Sequence, residues 1–155
     1  MSSKPSVEIR NTSPVGMAAP LLITTPITLR WRDLDAFNHV NNSSFLTFLE
    51  ETRLRWFAGL AGEWNTSQFM PVVAAANINY RAQLGWPGDI VISLYCERLG
   101  NSSITIAHRI VGAGNPETLY SDGNVVLVWI DPATGKPVAL PPVVRLACGE
   151  ARAEG

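Results

Sequence analysis

Apolar and polar residues alternate from residue 26 to residue 33. Ile27, Leu29 and Trp31 fall on one side, and Thr28, Arg30 and Arg32 on the other. A period of two with one wet face predicts a strand. Beyond a polar loop at 35–41 the period lengthens. Phe45, Phe48, Leu49, Trp56, Phe57 and Leu60 recur at helical spacing, which predicts one long helix over 42–60. Asn41 or Asn42 caps its start, and Gly59 and Gly62 mark its stop. Only strand patterns follow, at 72–82, 89–98, 102–111 and 117–131. In the first of these Val72, Ala74, Ala76, Ile78 and Tyr80 share a face. Gly100-Asn101 predicts a two-residue hairpin turn, because both residues tolerate positive φ. Asp122-Gly123 reads as a bulge, since the runs beside it are too short for two strands. The turn at 131–135 closes the last strand.

One strand, one long helix and then four antiparallel strands define an α+β architecture. The last strand is apolar on both faces, with Val126, Val128 and Ile130 opposite Val125, Leu127 and Trp129. One face covers the helix. The other calls for a further surface, and a second subunit is the simplest.

The 155 residues, 46% of them hydrophobic, suit one domain with a real core. We expect it over 25–146, after a mobile tail at 1–24 rich in Ser, Pro, Thr and Asn, and before a C-terminal tail at 147–155. Twelve basic against 13 acidic residues leave a net charge of -1. That balance carries no basic excess for nucleic acid or an anionic membrane. No apolar run approaches the ~18 residues that span a bilayer, and the N-terminal residues lack a secretory pattern. Cys96 and Cys148 make no disulfide framework and are expected to be packing residues in a reducing, cytoplasmic setting.

Serine-elbow, phosphate-loop and dinucleotide motifs are missing from the sequence. With two histidines, His39 and His108, and no CxxC or HExxH, neither a metal nor a cofactor is expected. His108 shares an apolar face with Ile104, Ile106 and Ile110 and reads as a satisfied core histidine. Carboxylates and backbone dipoles remain. A helix beginning near Asn42 presents unpaired N–H groups and a positive dipole end. Asp35 stands seven residues earlier, in a loop that must fold back over that end. A carboxylate beside a polarised carbonyl can attack it or deprotonate a water that does. Those parts suffice for acyl transfer to water. A thioester suits them best, because its thiolate leaves without protonation.

The stretch RDLDAFNHVNNSSFLTFLEE resembles the signature of hotdog-fold thioesterases of the 4-hydroxybenzoyl-CoA thioesterase type: a strand ending in D-x-D, a short loop, H-V-N-N, then the central helix with a Glu two turns in. Here these are Asp33-Leu-Asp35, His39-Val-Asn41-Asn42 and Glu50. NINYRAQLGWPGDIVI, LGNSSITIAHRIV and VLVWIDPATGKPVALP resemble the later strands, in order. The resemblance implies a helix wrapped by a curved antiparallel sheet of about five strands. It also implies a homodimer with sheets joined edge to edge, or a homotetramer, and acyl-CoA or acyl-carrier-protein as substrate between protomers.

Asp35 is then the catalytic carboxylate, and the N–H near Asn42 polarises the thioester carbonyl. Many relatives carry Tyr where this chain has Phe45, so that hydroxyl is missing. Asp33 is expected to brace the loop, and His39 to bond Asp35 or substrate or to brace the loop as well. Asn41 is a helix cap that can also serve the site. Glu50 either pairs with Arg53 or Arg55 or joins the site. Ser102 and Ser103 are candidates for the nucleotide end of CoA, and Arg81, Arg98 and Arg109 for its phosphates. The leading reading is a thioesterase. A non-catalytic acyl-CoA-binding module on the same fold is the alternative, and the spacing suits hydrolysis better than dehydration.

Overall fold

The computed structural model describes residues 19–149. Five strands form one antiparallel sheet: β1 (Leu21–Thr28), β2 (Met70–Tyr80), β3 (Asp89–Leu99), β4 (Ser103–Gly112) and β5 (Leu119–Ile130), in spatial order β1-β3-β4-β5-β2. Helix α1 (Asn42–Ala58) lies across one face, and a short helix α2 (Pro142–Ala147) follows the sheet. The element order is the expected one. This is the hotdog architecture that the resemblance implies.

Helix α1 forms where the 3.6 period runs. Phe45, Phe48, Leu49, Trp56 and Phe57 are buried, together with Thr52. Thr52 is tolerated there because its hydroxyl donates to the Phe48 carbonyl at 2.8 Å. The sheet meets this stripe with Ile90, Ile92 and Leu94 of β3, Ile104, Ile106 and Ile110 of β4, and Val125, Leu127 and Trp129 of β5. Trp129 is wholly buried and donates its indole N–H to the Trp64 carbonyl. Val126, Val128 and Ile130, on the other face, stay half-buried. No helix among the described residues is long and apolar enough to cross a membrane.

Several local expectations need correction. The first strand begins at Leu21 rather than residue 26, so part of the expected N-terminal tail is sheet; residues 1–18 of that tail lie outside the described residues. Pro26 sits inside this strand, opposite Val91, because β1 is an edge whose outer side needs no donor. The strand also ends sooner, at Thr28, and Trp31–Asp33 is a 3-10 turn. Trp31 is therefore 71% exposed instead of following Ile27 and Leu29 inward.

The β3–β4 turn closes with Gly100 N–H donating to Ser103 O, and neither Gly100 nor Asn101 adopts positive φ. Residues 101 and 102 are thus its tip.

In β2 the register slips at Ala74, so Val72 faces away from Ala76, Ile78 and Tyr80. The bulge expected at Asp122-Gly123 lies at Tyr120 instead. Gly123 serves close packing: at φ +151° its Cα sits so near β2 that a Cβ would stand 2.1 Å from the Asn77 carbonyl oxygen.

The C-terminal end is also more ordered than a tail from 147. Val144 and Cys148 are buried, Cys148 against Cys96, and Arg145 donates to the Gly100 carbonyl at 2.7 Å. Residues 150–155 lie outside the described residues.

Candidate active site

The loop between β1 and α1 is held at both ends by Asp33. Its buried carboxylate accepts from the Arg30 backbone N–H at 2.8 Å and from the Arg30 guanidinium at 3.0 Å. Its carbonyl accepts from Asn41 N–H at 2.8 Å. Asp33 thus braces the loop, as expected. Leu34 and Val40 bridge, Asp35 N–H donates to His39 O, and Asn38 N–H donates to Asp35 O with Asn38 at φ 63°. The loop is therefore a miniature hairpin, and its Asp35, Phe37 and His39 line a cleft together with Asn42 at the helix start. Asp35 is half-buried in it. One carboxylate oxygen accepts from Phe37 N–H at 2.9 Å. The other has no donor among the described residues.

Asn41 caps α1, its side-chain oxygen accepting from Ser43 N–H at 2.9 Å and its carbonyl from Ser44 N–H. The Asn42 N–H is left without an acceptor among the described residues. It is an unspent donor at the positive end of the helix dipole. Asp35, His39 and Asn42 line one cleft of about 370 Å³ with Phe45, Tyr80 and Leu84. A reacting carbonyl placed there would meet an N–H dipole on one side and a carboxylate on the other.

Tyr80 is a polar cleft residue that the sequence did not single out. Its hydroxyl donates to the Asn42 carbonyl at 3.1 Å, and its ring meets Phe45 edge-on. The cleft therefore has a phenol although position 45 lacks one. The signal was present in the β2 pattern, where Tyr80 shares a face with Ile78, but it reads there as packing.

Of the other candidates, only Arg81 among the described residues lines the cleft. Glu50 lies eight residues along the helix from Asn42, about 12 Å, in a different groove with Arg53 and His108. It is not paired with Arg55, whose guanidinium meets Glu51. Ser103 starts β4, nine residue steps and about 30 Å from the end near the loop, and Ser102 stands just before it. Within one chain they do not share a ligand with Asp35. Arg81 does line the cleft, with its guanidinium committed to Asp122 at 2.9 Å; neither Arg98 nor Arg109 lines it. His108 is the buried, satisfied histidine expected: its Nε2 lies 3.0 Å from Ser121 Oγ. Burial, then the nearby Arg53 charge, pushes its pKa down from 6.5 to about 3. Among the described residues no group of metal-ligating side chains converges.

A long helix seated in an antiparallel sheet is the hotdog architecture, and the cleft that Asp35 shares with the helix start is its candidate site. Comparison with known proteins gives the family. The profile of the thioesterase-like superfamily matches residues 29–147, and the chain belongs to that family. The long-chain acyl-CoA thioesterase FadM of Escherichia coli K12 is 31% identical over 121 residues, which are 75% of this chain and 89% of that protein. Among solved structures, a candidate acyl-CoA thioesterase from Xanthomonas campestris is 52% identical with a TM-score of 0.68, covering 75% of this chain and 98% of its own. A candidate thioesterase from Pseudomonas aeruginosa is 35% identical with a TM-score of 0.77, covering 82% and 98%.

Proposed function

We propose that this protein hydrolyses acyl-CoA thioesters, with Asp35 as the reacting carboxylate and the Asn42 N–H as the group that polarises the carbonyl. The observation that carries the reading is the meeting of these two in one cleft: a carboxylate oxygen without a donor and a helix-start N–H without an acceptor among the described residues. The thioester oxygen accepts from Asn42 N–H, where the helix dipole favours the negative charge that grows on it. Asp35 either adds to the carbonyl carbon or takes the proton of a water that adds. The C–S bond then breaks and the thiolate leaves. In the water route it takes up the proton held by Asp35. In the direct route water then cleaves the Asp35–acyl anhydride, giving the acid and freeing the carboxylate. Tyr80 holds the Asn42 peptide in place through its carbonyl, and His39 borders the same space. The relatives named for acyl-CoA substrates support CoA as the carrier.

The working unit in this reading is a dimer joined along β2. That strand is an edge of the sheet, and residues 73–77 are exposed along it. An open, partly apolar edge is a template for pairing with a second copy.

Thiol release from a panel of acyl-CoAs, followed with a chromogenic thiol reagent, tests the activity. Turnover of at least one acyl-CoA is expected. Tight binding of a thioether analogue with no turnover of any thioester would overturn the enzyme in favour of a binding module.

A further inference from the structure

Glu50 and Arg53 have no hydrogen-bond or ion-pair partner among the described residues. They lie one turn apart on α1 and together line both hollows of the groove between α1 and β2. Arg53 is half-buried, and burial lowers its pKa while the Glu50 charge raises it. A half-buried guanidinium with none of its donors used is costly unless something supplies acceptors. Apolar side chains flank the pair. Leu46 is 46% exposed, Leu54 51% and Val73 54%. The first hollow lies beside Leu46 and Leu49, the second beside Leu54 and Phe57.

This patch is complementary to itself. In a twofold contact the same surface meets its own copy, residue i facing j and j facing i. Two α1 helices crossing antiparallel, with the axis between Glu50 and Arg53, set Glu50 against the partner's Arg53 and Arg53 against the partner's Glu50. The same offset brings the partner's Leu54 over Leu49 at the first hollow and the partner's Leu46 over Phe57 at the second. Charges, knobs and hollows all fit one register. The exposed run of β2 at 73–77 borders this groove through Val73, Ala76 and Asn77, so the axis that pairs the helices also passes the open sheet edge.

We infer that Glu50 and Arg53 form a reciprocal pair of ion pairs across the dimer axis, with Leu46 and Leu54 seated in the partner's hollows, and that Glu50 fixes the assembly instead of taking part in the chemistry. The inference rests on the dimer reading above and specifies its contact.

Charge reversal tests it. Glu50→Arg gives each chain two positive charges at the axis, and Arg53→Glu gives two negative ones. Each variant is expected to raise the dimer dissociation constant roughly 10²-fold or more, because like charges facing across an interface cost several kcal/mol. The double variant Glu50→Arg/Arg53→Glu restores opposite charges and should dimerise again. Mixing the two single variants should give a heterodimer, which also shows that each is folded. Sedimentation velocity over a dilution series, with circular dichroism as the folding control, reads all four. A parent dimer that both reversals leave intact overturns the ion pair and spares the dimer. A parent chain that is monomeric at micromolar concentration overturns the dimer reading and the pair with it.

Discussion

The Tyr80 hydroxyl donates to the Asn42 carbonyl across 3.1 Å, tying the end of edge strand β2 to the first turn of α1. Its ring packs edge-on against Phe45 with centroids 5.2 Å apart. Tyr80→Phe keeps the ring contact and loses only the tether. A single hydrogen bond is worth about 1 kcal/mol net to stability, so melting temperature should fall by no more than a few degrees. The value of kcat should fall by up to about fivefold if the same energy positions the Asn42 peptide, with KM nearly unchanged. A change confined to KM would show that Tyr80 contacts substrate instead of positioning the Asn42 peptide.

Asp35→Asn preserves the side-chain shape and removes its charge. We expect kcat to drop roughly 10²-fold or more, the scale of a lost general base, while a thioether analogue still binds. Asp33→Asn should act on stability, by about 1–3 kcal/mol, since it weakens the charge-assisted bonds to Arg30 at both ends of a buried carboxylate. Steady-state kinetics and urea unfolding on both variants separate the roles. Near-normal turnover of Asp35→Asn would sink the assignment.

The parts of the fold that strict periodicity governs were legible in the sequence. Phe45, Phe48, Leu49, Trp56 and Phe57 are buried because nothing interrupts the helical period, and the strand signals from Asp89 onward agree with the sheet to within a few residues. Misreadings arose where sheet context overrides local pattern. Pro26 looks like a strand breaker until β1 proves to be an edge. Val72 and Ala76 have the same parity in sequence, yet the slip at Ala74 turns them to opposite faces. Gly123 looks like a bulge residue because its true constraint, the Asn77 carbonyl, lies on another strand. The Asp35 cleft was legible because its parts sit within one short segment. Tyr80 was not, because its contact with Asn42 spans 38 residues, and neither was the separation of Glu50 from that cleft.

His108 gives a pH dependence whose sign is fixed. In the unfolded chain it titrates near 6.5; folded, burial holds its pKa at about 3. Between those values the unfolded chain binds the extra proton, so stability rises with pH there. The contribution is intact above about 6.5 and is lost as pH falls toward about 3, at up to ~1.4 kcal/mol per pH unit. His108→Gln removes it. Urea unfolding of parent and variant at about pH 7.5 and about pH 5, at one protein concentration, should show the parent losing more stability than the variant. An identical loss in both would contradict the buried neutral histidine.

The Arg81–Asp122 pair fixes the end of the sheet beside the Asp35 cleft. Arg81 Nη2 and Nε lie 2.9 and 3.0 Å from the same Asp122 oxygen, and Asn79 donates to that oxygen at 3.1 Å. Both partners are largely shielded, with exposures of 12% and 2%, and the second Asp122 oxygen is buried without a hydrogen bond. Arg81→Met therefore strands a carboxylate that already lacks one partner, and should cost about 3–5 kcal/mol. Arg81→Met/Asp122→Leu removes both charges and should recover most of that loss, since a buried pair replaced by apolar side chains is often near neutral. The Asn79 amide loses its acceptor in the double variant, but its residue is exposed and water can replace the bond. Urea unfolding of the two variants decides the matter. A single variant losing less than about 1 kcal/mol would mean that water already reaches Asp122. A double variant no better than the single would place the cost in lost Arg81 packing and not in the unpaired charge.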